Sequence, residues 1–316
     1  MTIGLPQFAV AIGVPNPTFS VGSVTDPKQP EGWTVAGGNP TATGLFRDTS
    51  GAKGHARAQR YTATTVTIGL RSAVTPAYKL TNPVSTKFLA VCWNRRTNWT
   101  GGQTFKVQIQ WRNAADSAVG VTTDLISVAG AQASWTVDVG TATLTPPSGA
   151  HHAVAFVDCA VSSGKILDLR YCEIGAWNTT TDAYYTMTRT PWVPYECTQD
   201  PSDDGQADAM GKMRWTDLAR RTNPHRLRMS LALLPSATDA LALRTLWQLN
   251  HGVGGGGNTS QPSGGRWPIL WVPNHSDMPG ALTCDWPGQF SLFPDGPIHS
   301  DPPTYGGSVE LVERVL

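Results

Sequence analysis

Arg226-Leu227-Arg228-Met229-Ser230-Leu231-Ala232-Leu233-Leu234 alternates basic or small residues with apolar ones, the period of a half-buried strand. Pro235 ends it. Ser236 then stands three residues before Asp239, a weak form of the capping box, whose usual third-position partner is Glu or Gln. From Thr238 to Asn250 the residues Leu243, Leu246, Trp247 and Leu249 fall at helical spacing, so one face can bury. Asn250-His251-Gly252 is a plausible C-terminal stop, glycine being free to take a left-handed conformation. Four glycines, Gly254 to Gly257, then form a loop, and Trp267-Pro268-Ile269-Leu270-Trp271-Val272 resumes as a strand. One helix closed onto antiparallel strands is an α+β unit, a scaffold without visible chemistry.

Upstream, from Asn16 to about Gly175, the pattern is all-β. Strands are expected at Ala56–Tyr61, Thr64–Leu70, Phe88–Trp93, Phe105–Trp111, Ser134–Val139, His152–Val157 and Lys165–Ile174. Turn formers separate them, among them Gly37-Gly38-Asn39-Pro40, Gly101-Gly102 and Pro146-Pro147-Ser148-Gly149. Such spacing predicts a sandwich or jelly roll. The expected fold is therefore mainly β: an N-terminal β-sandwich jelly roll over 16–176 and a C-terminal α+β unit with one main helix over 213–316. Residues 1–15 read as an apolar arm of the kind ordered by packing on a neighbouring subunit. Residues 177–212, rich in polar turn formers, read as a linker.

The composition narrows the partners. Charged residues are 15% of the 316 and the net charge is +1, well below the quarter or so that is usual. No strong attraction to nucleic acid or to a membrane surface follows. The five cysteines contain no C-x-x-C pair and are odd in number, which favours reduced thiols over a zinc site or a disulfide framework. Cys159 and Cys172 remain candidates for one bridge. The N-terminus shows no basic region with a cleavage signal, and no run of 18 apolar residues occurs, so neither signal-directed secretion nor membrane insertion is expected.

Candidate chemistry is sparse. No Gly-x-Ser-x-Gly elbow, phosphate-binding glycine loop or His-Glu-x-x-His motif is present. Asp158, Asp168 and Glu173 sit on late strands, and alternation does not bring two of them to one face, as glycoside hydrolysis needs. His151-His152 points to opposite faces of a strand, so no metal pair is expected. No cofactor is expected and the chain reads as non-enzymatic. The best binding candidate is Trp93-Asn94-Arg95-Arg96-Thr97-Asn98-Trp99. Saccharides are held by flat aromatic stacking and planar polar groups, and Trp93, Arg95, Arg96 and Trp99 supply both. The competing reading packs Trp99 over the sandwich edge or a neighbouring subunit, with the arginines solvated.

Two resemblances sharpen this. Leu243-Arg244-Thr245-Leu246-Trp247, the run Trp267 to Asn274 and the closing run Ser308 to Leu316 are similar to the conserved β-domain of tailed-phage distal-tail and tail-tube proteins. That similarity implies a virion structural protein of the tail tip or baseplate, made in the bacterial host cytoplasm. It implies assembly as a ring or trimer with itself and with other tail proteins, Trp247, Gly254, Gly255, Trp267 and Trp271 lying at the interface. The order Asn16-Pro17-Thr18-Phe19, Glu31-Gly32-Trp33, Phe88 to Trp93, Val107 to Trp111 and Cys172-Glu173-Ile174-Gly175 resembles jelly-roll carbohydrate-binding modules of the family 4, 9 and 22 type. It implies contact with host-surface polysaccharide or, alternatively, a non-catalytic module of a polysaccharide-degrading system. Ser20 stands where that family carries an acid for a structural calcium, so the calcium site is not expected.

Overall fold

A computed structural model of the chain describes residues 4–19, 22–26, 28–47, 57–72, 87–177, 181–199, 205–207, 213–215, 225–230, 237–251, 267–274, 279–289, 293–295 and 304–314. The strands, in chain order, are β1 (Gln7–Ala11), β2 (Trp33–Gly37), β3 (Thr41–Arg47), β4 (Arg57–Thr62), β5 (Thr67–Ser72), β6 (Lys87–Thr97), β7 (Thr104–Arg112) and β8 (Thr123–Ala129). There follow β9 (Gln132–Thr143), β10 (His152–Ala160), β11 (Ile166–Ala176), β12 (Tyr185–Thr186), β13 (Trp192–Gln199), β14 (Gly205–Ala207), β15 (Met213–Trp215) and β16 (His225–Ser230). The helix α1 (Ala237–His251) precedes β17 (Ile269–Val272), β18 (Leu282–Asp285), β19 (Phe293–Asp295), β20 (Thr304–Gly306) and β21 (Ser308–Glu313). The fold is mainly β, as the sequence pattern predicts.

Five strands, in the order β2-β5-β10-β7-β8, make one sheet. The other is long and continuous: β13-β16-β21-β18-β17-β1-β11-β4-β3, with β6 beside β11, β9 beside β6 and β12 beside β1. Alternation along the central strands drives the two sheets together. Phe88, Ala90 and Cys92 of β6 enter one core with Phe105, Val107, Ile109 and Trp111 of β7 and Ala153, Ala155, Val157 and Cys159 of β10. The intervening Leu89, Val91 and Trp93 point the other way and build a second core with Ala9 and Ala11 of β1, Tyr171, Leu270, Val272 and Ala281. Strand β6 is thus covered on both faces.

Strand β1 joins the two halves. Its residues pair with β17 on one side (Phe8 opposite Trp271, Ala9 opposite Leu270) and with β11 on the other (Val10 opposite Ala176). Within the arm, Gln7–Ala11 therefore pair with strands of their own chain. Phe8 is fully buried, its ring stacked on Trp271 at 5.4 Å and close to Trp177 and Tyr185 at 5.3 and 5.1 Å. The stretch read as a linker likewise supplies β12 and β13 to the same sheet. A loop from the C-terminal half also lies over the sandwich: a Cβ added at Gly280 would fall 2.4 Å from Cγ2 of Val137 on β9. Only glycine allows that approach.

The opening landmarks act as structural contacts. Asn16 Nδ2 donates to the Glu31 carbonyl, Trp33 Nε1 donates to the Pro15 carbonyl, and the Phe19 and Trp33 rings lie 4.8 Å apart. Gly32 takes φ +74 with its α-carbon pressed towards Pro15, a turn closed to residues with a side chain. Ser20, Ser236, Gly252 and the glycines Gly254 to Gly257 lie outside the described residues. All five cysteines are free, including Cys159 and Cys172.

Candidate functional site

The segment Trp93 to Thr97 is the end of β6, and alternation splits it. Trp93 and Arg95 emerge on the outer face of the long sheet, while Arg96 turns inward with its guanidinium 5.5 Å from the Phe105 ring centroid. Trp99 joins the sandwich core, 5% exposed, with its Nε1 donating to the Ile166 carbonyl at 2.9 Å. Trp93, 6% exposed, belongs to the second core. The four residues expected to hold a glycan therefore do not meet on one surface, and a buried ring offers no stacking face. Of the two readings of Trp99, edge packing is the one the geometry realises.

What the outer face builds instead is an arginine–tryptophan cluster. Arg60 and Arg95 both donate to the buried carboxylate of Asp168, at 2.7 to 3.0 Å. Trp135 carries Arg95 at 4.8 Å and Arg170 at 3.8 Å over its ring, and Arg170 also lies 5.6 Å from Trp93. Cations already lie over these aromatics, and Asp168 is held between two cations. Glu173 is buried further along β11, where its Oε1 accepts from the Val14 and Ile174 amides and its Oε2 from the Thr283 hydroxyl. Burial pushes its carboxyl up to about 8, against which the hydrogen bonds from Val14, Ile174 and Thr283 pull only partly.

The assembly residues fare similarly. Trp267 is 3% and Trp271 0% exposed, both inside the chain's own core. Neither can face a neighbouring subunit. Trp247 is half-buried, donates to the Gly288 carbonyl and stacks on His251 with centroids 4.5 Å apart. Gly254 and Gly255 lie outside the described residues. Among the described residues no group of three or more His, Cys, Asp or Glu could hold a metal ion. His151 precedes β10, so strand alternation does not separate the pair, and the two Nδ1 atoms meet at 3.2 Å. This corrects the opposite-face expectation.

The surface that sequence reading missed is the outer face of the five-stranded sheet. The pairing registers align Thr34, Arg71, Phe156, Gln108 and Asp124 in one row across β2, β5, β10, β7 and β8. Phe156, on the central strand, is half-buried and belongs to neither core. Planar polar groups flank it. Gln108 Nε2 donates to Asp124 Oδ1 at 2.5 Å, and Lys106 Nζ reaches Asp124 Oδ2 at 2.7 Å. One row along lie Asp158 and Lys106, with Gly69 and Gly37 completing it without side chains. A Cβ added at Gly37 would meet nothing within 4 Å. Further along, Asp116 bridges Arg112 (3.2 Å), His152 (3.4 Å) and Arg71 (3.7 Å). Burial pushes the Asp124 carboxyl up, but hydrogen bonds from Lys106 and Gln108 outweigh it and hold the group below the usual range. Asp158 is raised by burial first; the Lys106 charge pulls against it, and the Asp124 charge adds to the rise. The signal was available in the alternation of Lys106-Val107-Gln108-Ile109-Gln110 and Phe156-Val157-Asp158. Only the register shows that these residues share a row.

No family model matches the chain, and no curated protein matches it. Among solved structures it is similar to a family 22 xylan-binding module from Paenibacillus barcinonensis (12% identity, 53% of this chain and 94% of that one, TM-score 0.33). It is similar also to the family 22 module and family 10 catalytic module of a Clostridium thermocellum xylanase complexed with xylohexaose (14%, 52% and 28%, 0.36). A third is the enzymatically active domain of tailspike protein 4 of bacteriophage CBA120 (14%, 46% and 19%, 0.31). The chain thus covers under a third of the last two. At such identities and scores these likenesses carry no argument about what this chain binds.

Proposed function

We propose that this protein is a non-catalytic carbohydrate-binding protein whose β-sandwich presents the outer face of its five-stranded sheet to a polysaccharide. The observation that carries the reading is the row Arg71, Phe156, Gln108 and Asp124 across four strands. A sugar ring has an apolar face and an equatorial rim of hydroxyls. It is held by one aromatic ring flanked by planar groups that donate and accept at its edge. Phe156 gives the ring, and Arg71, Gln108, Asp124 and Lys106 give both polarities. The non-catalytic part of the reading is supported by two of the three late-strand acids, since Asp168 is engaged by two arginines and Glu173 is buried.

A glycan array with the intact chain, followed by titration of the best oligosaccharide, tests this. Retention of neutral polysaccharide fragments, lost in Phe156→Ala and Arg71→Ala without a change in melting temperature, is the expected result. Unchanged binding in both variants, or release of reducing ends on prolonged incubation, would overturn it.

A second reading, assembly in a phage tail or baseplate, is supported by the order of β16, α1, β17, β18 and β21. It matches the strand, helix, aromatic strand and closing strand that the sequence resemblance implies. Light scattering at several concentrations separates the two. A closed trimer or hexamer favours the tail reading, with the sandwich contacting host glycans, and a monomer at high concentration removes it.

A further inference from the structure

A cavity of about 360 Å³ opens on the other side of the sandwich, on the outer face of the long sheet. It is lined by Lys87 and Thr141 at the paired ends of β6 and β9, by Trp177 just after β11, and by Asp182, Ala183, Tyr184, Tyr185 and Thr186. None of these residues takes part in the sheet face described above. We propose that this cavity is a second saccharide site, holding a single ring of a neutral polysaccharide. The ligand class rests on the function proposed above; the site itself rests on its own geometry.

Three features support the assignment. The size lies at the small end of ligand pockets, which run from roughly 300 to 1,000 Å³, so one sugar ring fits where a larger body does not. The accessible aromatic wall is Tyr184 and Tyr185, both half-buried, and it is fixed from behind, with the buried Trp177 as part of its backing. Phe8 packs on both Trp177 and Tyr185, and the Tyr185 hydroxyl donates to Asp239 Oδ1 at 2.6 Å, which prevents the ring from turning away. Tyr184 packs against the second core. An aromatic wall already held in place loses little freedom on binding. The polar rim is balanced as well. Lys87 only donates, Asp182 only accepts, and the Thr141 and Thr186 hydroxyls do both. Sugar hydroxyls need donors and acceptors side by side, and the opposite charges of Lys87 and Asp182 give the rim no net pull on an ionic ligand.

The test uses the full-length chain and a panel of soluble oligosaccharides of neutral hexoses and pentoses, titrated calorimetrically. Thr141→Trp fills the cavity from an exposed position without removing a core contact, and Tyr184→Ala removes part of its wall. Thermal melts confirm that each variant is folded. Both are expected to weaken binding by roughly ten-fold or more. Should Thr141→Trp bind as tightly as the parent while Phe156→Ala fails to bind, the cavity proposal falls and the sheet-face reading stands. Loss in Thr141→Trp with full binding in Phe156→Ala supports the cavity and overturns the sheet face. A parent chain that binds no member of the panel overturns both.

Discussion

Trp99 shows how a single residue's role turns on where its ring lies. In the sequence it sits in a turn before two glycines, where an exposed tryptophan would suggest a ligand. In the fold it fills the sandwich core and donates its indole proton to the Ile166 carbonyl. Trp99→Ala should therefore lower unfolding free energy by about 3–5 kcal/mol and leave the oligosaccharide affinity of the folded fraction unchanged, which denaturant titration and calorimetry would check. Glu173 is the second residue with a specific consequence. Its folded-state carboxyl titrates near 8 against an ordinary 4.5. Below the ordinary value both states hold the proton and no penalty exists. As pH rises through that window the unfolded chain releases its proton first, so the folded state loses stability until pH passes the folded value. The loss is on the order of a few kcal/mol. Thermal midpoints should fall between about pH 5 and about pH 9, and Glu173→Gln, which still accepts from the Val14 and Ile174 amides, should flatten that part of the fall.

At the scale of elements, α1 depends on its first turn. The sequence spacing places Asp239 in a weak capping box with Ser236, a local contact within the helix. The fold uses its carboxylate for a distant segment: it accepts from the Thr188 amide (3.2 Å), the Thr188 hydroxyl (2.5 Å) and the Tyr185 hydroxyl (2.6 Å). A carboxylate there also faces the positive end of the helix. Asp239→Ala removes the acceptor of three donors, two of them on the exposed Thr188 where water can take its place, and should cost about 1–3 kcal/mol. It should also loosen the Tyr185 wall of the cavity, so urea denaturation and oligosaccharide titration of one variant report both effects. The far end of α1 was legible: Asn250, expected at the stop, holds the Trp267 carbonyl and the Trp286 amide. Those bonds reach distant segments; the helix's own last carbonyls are met at Leu249 by the Trp267 amide (3.4 Å) and at Trp247 by His251 Nδ1 (3.0 Å).

For the whole molecule, the sheet continues without a break from β13 through β1 to β3. Separate units joined by a linker would unfold in separate steps. A chain whose N-terminal strand sits between β17 and β11, with Phe8 stacked on Trp271 and the Gly280 loop against Val137, should instead unfold in one cooperative transition. Differential scanning calorimetry checks this directly, as equality of calorimetric and van't Hoff enthalpies. Two resolved transitions would show that the β1 pairings do not couple the halves.

The sequence by itself determined most of the central elements: the sandwich strands β4 to β7 and β9 to β11, the helix from near Thr238 to Asn250 and the aromatic strand after it, because periodicity, proline and glycine act over a few residues. Strands β2, β3 and β8 carried no such signal. Much of the core was equally legible, since alternating apolar residues bury wherever a strand is placed. Tertiary structure alone decided which residues share a surface. Arg71, Phe156, Gln108 and Asp124 lie on four strands far apart in the chain, and register aligns them. Trp93 and Arg96 are near neighbours in sequence, and the pleat sends them to opposite faces. The place of Gln7–Ala11 was equally hidden. An apolar strand can pair with any open edge, and only the assembled sheet supplied two edges, at β11 and β17, that it could fill at once.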